Sequence, residues 1–311
     1  MKERPKWLVY VMLVFATSMW GSGFIAGKIA VEDFGPFTVA FLRFFFAAVL
    51  LFPLMWKMEP KRPVVTRRDW LFFALLGLTG IFIYNVCFFL ASMYAPVVKS
   101  SLFIATNPVL ILLLSILFLK ERVTRFQIAG MILALSGAAT IISEGNMGAI
   151  ITGGLEAIDI ILLLAVVTWA LYSVLGKVVL KKFSPVVSTT YAVMFGTIFL
   201  LPFSLYEASP LSWLEASPSS WLAILHMSVF VTVISFVMYY DGIQQIGASK
   251  AALFINVMPV SAVVMAVIFL NESFGMIHLA GALLVFSGVT LGTKVIGPQV
   301  KPVPFFRKKA G

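Results

Sequence analysis

Hydrophobic residues run through this chain in ten long stretches, each about the length of a helix that crosses a bilayer. A bilayer core of about 30 Å is crossed by roughly 20 helical residues. The pattern predicts an all-α integral membrane protein with ten transmembrane helices, at residues 8–30, 36–56, 70–92, 97–119, 124–143, 158–180, 185–206, 221–243, 248–270 and 275–296. Connections as short as Lys120–Val123 predict that consecutive helices lie antiparallel and adjacent.

The second half of the sequence repeats the first. One block, Trp20, Gly27, Lys28, Pro36 and Pro53, recurs without a gap as Trp169, Gly176, Lys177, Pro185 and Pro202. A second block with Ile104, Pro108, Glu121, Gly130 and Gly137 returns as Ile255, Pro259, Glu272, Gly281 and Gly288. We therefore divide the chain into two five-helix repeats, residues 1–148 and 149–311. Apolar halves that repeat in this way are typical of transporters.

Composition and charge agree with a membrane setting. Of 311 residues, 61% are hydrophobic and 12% are charged, far from the balance of a soluble domain. The net charge of +10 does not predict nucleic-acid binding, because the basic residues lie in short segments between apolar runs rather than on one solvated face. The lipid bilayer is the expected partner of the outer surface.

Basic residues also orient the helices. With the N-terminus in the cytoplasm, 20 of the 23 basic residues fall in inner loops and tails, and only Lys28, Arg43 and Lys99 fall on the outer side. The positive-inside rule thus predicts a multi-pass protein of the inner (cytoplasmic) membrane with both termini in the cytoplasm. Because five helices per repeat is an odd number, equivalent positions face opposite sides, as Lys28 and Lys177 do. Such inverted repeats around a central cavity suit a site that opens to each side in turn.

Several short motifs carry a family resemblance. They are W-G-S-G-F at Trp20–Phe24, the L-R-F-F-F-A stretch around Arg43, N-P-V at Asn107–Val109 with F-L-K-E-R at Phe118–Arg122, and the mirrored M-P-V and F-L-N-E-S at Met258–Val260 and Phe269–Ser273. With these motifs the chain resembles the EamA family of the drug/metabolite transporter superfamily over essentially its whole length. The resemblance implies a carrier of small polar metabolites or amphipathic compounds. It also implies a cavity lined largely by helices one, three, four, six, eight and nine.

Polar and aromatic residues inside the spans are the candidate substrate site: Trp20, Arg43, Asn85, Phe103, Asn107, Trp169, Tyr172, Tyr239 and Asn256. The two tryptophans lie at mid-span, whereas tryptophans that mark a membrane interface lie at helix ends. They are interpreted either as aromatic walls for a substrate or as core packing. The tyrosine hydroxyls and asparagine amides are interpreted either as substrate-binding groups or as partners in hydrogen bonds to neighbouring helices.

Arg43 is the one charge set well inside a span, about seven residues from its outer end. A charge at that depth is costly unless it is paired or faces water. It is interpreted as an anchor for a substrate carboxylate or phosphate, as a latch on the outer gate, or as a side chain that extends to the outer headgroups near Glu32 or Asp33.

The candidate gating or hinge positions are Lys99, Pro108 and Pro259. Lys99, Phe103 and Asn107 are spaced by four and line one helix face, with Lys99 at the outer mouth. Pro108 and Pro259 each remove an amide near mid-membrane and bend equivalent helices, which frees carbonyls for a ligand or serves packing alone. Glycines 130, 137, 281 and 288 are interpreted as helix-packing seams, with homodimer contact as the alternative.

The chain offers no set of residues for catalysis. Cys87 has no partner cysteine, and His226 and His278 form no metal-binding pattern, so we expect no metal, no cofactor and no enzyme activity. The predicted function is alternating-access transport of a small organic molecule, with amino-acid or related solute export as one form. A small-solute channel is the alternative, followed by a lipid-modifying enzyme. Because Asp159 and Asp241 are placed at helix ends, no buried carboxylate is expected and coupling to protons is disfavoured.

Overall fold

The computed structural model describes residues 4–61, 63–94, 100, 103–121, 123–143, 157–270 and 275–293. These residues form helices joined by short turns, which confirms the all-α prediction for the described part of the chain. The helices are α1 Lys6–Asp33, α2 Pro36–Met58, α3 67–94, α4 Phe103–Leu119, α5 Arg125–Ile142, α6 Ala157–Val179, α7 Pro185–Glu207, α8 Pro218–Ile246, α9 248–270 and α10 Met276–Thr293. A 3₁₀ turn, Ser212–Glu215, lies between α7 and α8.

Helix ends agree with the predicted spans to within three residues, apart from the start of α4, which borders residues outside the described set. Eight helices are long and apolar enough to cross a membrane, namely α1, α2, α3 and α6 to α10. Within the described residues α4 and α5 are shorter apolar helices. Length and composition therefore support eight membrane crossings. The crossings by α4 and α5, which would bring the total to ten, remain a prediction.

Local sequence explains where several helices begin. Thr66 and Thr124 each form a capping box, with Asp69 and Gln127 as the reciprocal partners. The hydroxyls of Ser184 and Ser217 cap α7 and α8, and a proline follows each at the first helical position. A side-chain cap of this kind stabilises a helix by about 1 kcal/mol. The short connections between helices are thus fixed by their own residues.

Helix contacts occur in matched pairs across the two halves. Helix α1 packs on α8 and α9, and its counterpart α6 packs on α3 and α4. Likewise α2 packs on α7 and on α8, while α7 packs on α3. Each contact made by a helix of the first half is thus matched by a contact between the corresponding helices with the two halves interchanged. The centre of the bundle is therefore shared by both repeats.

The outermost pair, α5 and α10, is joined by the predicted glycine seam. A Cβ built on Gly130 would lie 2.5 Å from the Gly288 carbonyl oxygen, and one on Gly137 would lie 2.6 Å from that of Gly281. Only hydrogen at these positions lets the backbones approach so closely. The seam is closed within one chain, so these glycines are occupied by packing rather than free for a second copy.

Four central helices depart from α-helical geometry at corresponding places. Helix α3 contains a π-helical segment, Gly77–Ile83, and α8 contains another, Met227–Ile234. Helix α4 has a turn at Thr106, and α9 has a 3₁₀ turn, Phe254–Asn256. Such interruptions free backbone carbonyls and are frequent at functional sites. All four helices border the cavity described below.

Polar contacts tie the helix ends together. At one face Lys177 Nζ donates to the carbonyl oxygens of Ile243 (2.6 Å) and Gln244 (3.1 Å) at the end of α8. At the same face the Glu121 carboxylate accepts from the amides of Ala248 and Ser249 at the start of α9, both at 3.3 Å. A carboxylate at a helix N-terminus is favourable because the exposed amides carry partial positive charge.

The opposite face has its own ties. Glu207 accepts from the Thr38 amide at 2.7 Å at the start of α2, and Asp33 accepts from the Ser217 amide at 2.9 Å at the start of α8. Each tie joins residues that the charge pattern assigns to one side of the membrane. The same holds for the ion pair between Lys182 and Asp69 on the first face.

Candidate functional site

A small cavity of about 40 Å³ lies at the centre of the bundle. A space of this size has room for only a few water molecules. Its lining comes from α1, α3, α4, α6, α8 and α9, the helices expected from the family resemblance, together with α2. The lining residues are Trp20, Gly23, Phe24, Arg43, Tyr84, Asn85, Phe88, Ile104, Asn107, Trp169, Val231, Phe236, Ile255 and Met258. Five of the predicted substrate-site residues are among them: Trp20, Arg43, Asn85, Asn107 and Trp169.

Arg43 projects into this cavity from α2. Its side chain lies inside the bundle, with 5% of the residue exposed. Nε donates to Thr232 Oγ1 at 2.8 Å, and Nη1 donates to Asn85 Oδ1 at 3.0 Å. Its Cζ also lies 4.8 Å from the Phe44 ring centroid and 5.9 Å from that of Phe236. The guanidinium thus joins both halves of the chain instead of extending to the outer headgroups.

Asn85 holds the acceptor that faces Arg43. Its amide nitrogen donates to the carbonyl oxygens of Gly80 at 2.9 Å and Ile81 at 3.0 Å, which belong to the π-helical segment of α3. These two bonds fix the amide so that Oδ1 points at the guanidinium. In α8 the corresponding residue Ser235 donates to the Phe230 carbonyl oxygen at 2.6 Å. In each π-helical segment, a backbone carbonyl oxygen therefore accepts a hydrogen bond from the side chain five residues further along the chain.

Asn107 differs from Asn85 in its hydrogen bonding. It is fully buried at the start of the α-helical part of α4, and neither amide atom has a hydrogen-bond partner among the described residues. Pro108 follows directly, and its missing N–H leaves the Ile104 carbonyl without the usual helical donor. Buried amides are normally paired. An unpaired amide that faces a cavity is available to a ligand or water.

Aromatic rings form much of the remaining wall of the cavity. The Trp20 and Trp169 ring centroids are 5.1 Å apart in a T-shaped arrangement, so the structure brings these repeat partners into contact. Trp20 Nε1 donates to the Val231 carbonyl oxygen at 3.1 Å. Tyr84 lies 4.7 Å from Trp169, between centroids. The wall is apolar but contains oriented rings from both halves of the chain.

Four predicted site residues lie outside the cavity lining. Tyr239 packs behind Trp20 with centroids 4.9 Å apart, and Tyr172 packs on Trp169 at 5.2 Å. Asn256 is buried in the turn of α9, where its amide nitrogen donates to the Leu253 carbonyl oxygen at 3.3 Å. Phe103 is half-buried at the start of α4. The two tyrosines support the wall, while Asn256 and Phe103 belong to the helix interruptions.

Of the predicted gating and hinge residues, Pro108 and Pro259 lie just after the interruptions of α4 and α9. Lys99 lies outside the described residues. The prolines thus occupy matching positions beside the cavity, because Ile104 and Asn107 line it in one repeat and Ile255 and Met258 in the other.

Sequence reasoning missed nine lining residues: Gly23, Phe24, Tyr84, Phe88, Ile104, Val231, Phe236, Ile255 and Met258. Two of them were accessible from the repeat, because Ile255 and Met258 are the counterparts of Ile104 and Asn107. Tyr84 and Phe88 are spaced by four beside Asn85, which is a helical-face signal. The others carry no mark that separates them from ordinary core residues.

The expectation that no carboxylate is buried is wrong. Asp159 is 3% exposed near the start of α6, and Asp241 is 8% exposed five residues before the end of α8. Arg4 Nε lies 3.1 Å from Asp241 Oδ2. Nearness to a helix end along the sequence does not measure depth, because neighbouring segments cover these side chains. The argument against proton coupling that depended on this absence therefore no longer holds.

No group of three or more His, Cys, Asp or Glu residues in the described ranges is placed to hold a metal ion. The single cysteine, Cys87, is free and buried in α3. The polar side chains among the lining residues are Arg43, Asn85, Asn107 and Tyr84, together with the indole N–H groups of Trp20 and Trp169. These groups can form hydrogen bonds with a small polar molecule.

Comparison with known proteins agrees with this arrangement. The family model described as the EamA-like transporter family matches twice, at residues 7–143 and 157–293. The uncharacterized transporter YyaM of Bacillus subtilis is 31% identical over 93% of this chain and 94% of its own length. The probable terminal-alkyne amino-acid exporter of Streptantibioticus cattleyicolor is 29% identical over 90% of this chain and 91% of its own.

One solved crystal structure has the same fold, with a TM-score of 0.74 and 18% identity over 93% of this chain and 98% of that one. The two matches to the family model together cover most of the sequence, and the apolar helices fit a multi-pass membrane protein. The chain belongs to the EamA-like transporter family.

Proposed function

We propose that this protein is a carrier that moves a small organic molecule across the cell's inner membrane by opening the central cavity to each side in turn. The observation that carries the proposal is the cavity itself. It is small, it lies at the centre, and helices from both halves of the chain line it. A cavity shared by two repeats becomes accessible from either side when one repeat moves against the other.

Two repeats in opposite orientation, residues 1–148 and 149–311, are part of this proposal. Matched helix contacts support it. The equivalent ends of α1 and α6 also lie at different faces: Asp33 at the end of α1 contacts Ser217, and Lys177 near the end of α6 contacts Gln244. A pair of inverted five-helix repeats produces this arrangement.

Both termini are proposed to be cytoplasmic. Basic residues support this orientation through the positive-inside rule. Arg4 near the N-terminus pairs with Asp241 near the end of α8, at the face where Lys177 and Glu121 make their contacts. Reporter fusions at the two ends of the chain test the assignment, and reporters on opposite sides of the membrane would contradict it.

The substrate is proposed to be a small organic metabolite, with amino-acid or related solute export as one form. The name of the Streptantibioticus cattleyicolor relative supports this class. The donors and acceptors in the cavity support it as well, because Arg43 and Asn107 suit the polar groups of such molecules while the rings suit an apolar body. The cavity must widen before a molecule of this size enters.

Cysteine labelling tests alternating access without knowledge of the substrate. In a Cys87→Ser background, Ile104→Cys places one thiol in the cavity, and Ile111→Cys places a control in the core of the same helix. A membrane-impermeant thiol reagent is applied to right-side-out and inside-out vesicles. The cavity thiol should react in both preparations, and the core thiol in neither.

Labelling of the cavity thiol from only one side under all conditions would contradict a carrier. Unitary currents through the purified protein in a planar bilayer would favour the channel alternative instead. A thermal-shift screen of the purified protein against a metabolite library then identifies the substrate class, because a ligand of the native state raises its melting temperature by mass action.

A further inference from the structure

We propose that the central cavity takes a monocarboxylate, with the carboxylate bound by Arg43 and an apolar body packed between the aromatic rings. This inference rests on the proposed function, since it names the substrate class of the same cavity. It depends on three features: the charge of the site, the free donors of the guanidinium, and the chemistry of the opposite wall.

The charge of the site is uncompensated. Arg43 is buried, and no Asp or Glu oxygen among the described residues lies within 4.0 Å of its guanidinium. Its two hydrogen-bond partners, Thr232 Oγ1 and Asn85 Oδ1, are neutral. Desolvating a charge without a counter-ion is costly, and an anionic ligand removes that cost. A cation would raise the cost, and a neutral hydrogen-bond acceptor would lower it less than an anion does.

The guanidinium also has donors to spare. Of its five N–H groups, one on Nε and one on Nη1 are used within the described residues. The remaining donors are the second hydrogen of Nη1 and both hydrogens of Nη2. Neighbouring N–H groups on these two nitrogens match the two oxygens of a carboxylate in a bidentate pair. Asn85 and Thr232 hold the group in place through Nη1 and Nε, which leaves Nη2 without a hydrogen bond to the described residues.

The rest of the cavity favours an apolar body with no second charge. Trp20, Trp169, Tyr84 and Phe88 present rings, with Tyr84 and Phe88 centroids 6.3 Å apart. Asn107 adds a neutral amide whose nitrogen and oxygen both lack a hydrogen-bond partner among the described residues. No acidic residue lines the cavity within the described ranges, so an ammonium group would meet no counter-ion. Within the proposed substrate class, this favours related carboxylates without an ammonium group over zwitterionic amino acids. One guanidinium balances one negative charge, which favours a monoanion over a dianion.

Three probes with one carbon skeleton separate the contribution of the carboxylate. They are 3-phenylpropionate, its uncharged amide 3-phenylpropionamide, and the cation 3-phenylpropylammonium. Each is titrated against the purified full-length protein in detergent, and the shift in melting temperature is recorded. The carboxylate should raise the melting temperature at concentrations at least about tenfold lower than the amide does. A site whose buried donors pair with a charged group binds an analogue without that charge much more weakly. The ammonium probe should have no effect.

Variants assign the preference to Arg43. R43Q should remove the difference between carboxylate and amide, and R43K should reduce it, since lysine keeps the charge but lacks the planar fork. Thr232→Val leaves the charge in place but frees Nε, so it should weaken carboxylate binding less than R43Q. Lys28→Gln is the control, because Lys28 is an exposed cation on α1. It should bind all three probes as the unchanged protein does.

Two results would overturn the inference. One is an unchanged carboxylate preference in R43Q or, if R43Q does not fold, in R43K. The other is equal or stronger binding of the amide or the cation, or no binding of any probe, by a protein whose Ile104→Cys variant is labelled from both sides. In that second case the carrier proposal stands and only the substrate class is wrong.

Discussion

Asn85 and Asn107 provide a direct test of how this cavity is built. Both are asparagines with 0% exposure, and both line the same cavity. Asn85 uses its amide fully, with two carbonyl acceptors and the Arg43 donor. Asn107 has neither a donor nor an acceptor partner among the described residues. Replacement of each by leucine, which has nearly the same size, should therefore change stability in opposite directions.

The expected magnitudes follow from the hydrogen bonds. A buried polar group without a partner costs about 1–3 kcal/mol, so Asn107→Leu should raise the free energy of unfolding by about that amount. Asn85→Leu leaves the Gly80 and Ile81 carbonyls and one guanidinium donor without their partner, and should lower it by about 2–4 kcal/mol. At roughly 1.5 °C per kcal/mol, from an unfolding entropy of about 2.1 cal/mol/K per residue, both shifts are measurable by thermal denaturation in detergent.

Function should separate the two variants in a second way. If Asn107 is kept unpaired for a ligand, Asn107→Leu should lose binding or transport while its melting temperature rises. A variant that is less stable than the unchanged protein would refute the reasoning, because it would show that the Asn107 amide is already satisfied by bound water. Full transport by a more stable Asn107→Leu protein would refute its role in the site.

Three further predictions concern packing, the wall and the closed face. Gly130→Ala should lower stability by about 1–3 kcal/mol, since the new methyl group meets backbone of α10; Ser136→Ala, on the exposed face of the same helix, should leave the melting temperature unchanged. Trp20→Phe and Trp169→Phe should yield folded protein, because a phenyl ring keeps much of the aromatic packing. Both variants should lose substrate binding in the thermal-shift assay, because phenylalanine offers a substrate less ring surface than tryptophan does. Glu121→Gln should weaken its cap on α9 by about 1 kcal/mol, and the rate of cavity-thiol labelling from that face should rise roughly fivefold.

The helical framework was largely predictable from the sequence. Bilayer thickness sets the length of each apolar run, and loop residues such as Thr66, Thr124, Ser184 and Ser217 fix where helices begin. Chain duplication also identified the Trp169 partner of Trp20 before the structure did. These features are local or periodic, and a sequence records such features directly.

The contacts of the site were less accessible because they are long-range. Arg43 and its acceptor Thr232 are 189 positions apart, and nothing near either residue marks the other. The π-helical segment that Asn85 caps depends on one extra residue in a helical turn, for which the sequence has no clear signature. Tyr172 and Tyr239 pack on the tryptophans of the wall and do not line the cavity, because contacts between helices decide which face of each helix points inward.

Symmetry and asymmetry have different uses in this molecule. The interruptions occur in equivalent helices of both repeats, and Asn85 and Ser235 satisfy them in the same way. In the proposed alternating-access mechanism each repeat must be able to take the other's conformation, which explains why these backbone features occur twice. A substrate is a single asymmetric molecule, and its polar groups need only one partner each. Arg43 accordingly occurs once, with Ala192 as its counterpart in the second repeat, and the counterpart of Asn107 is Met258.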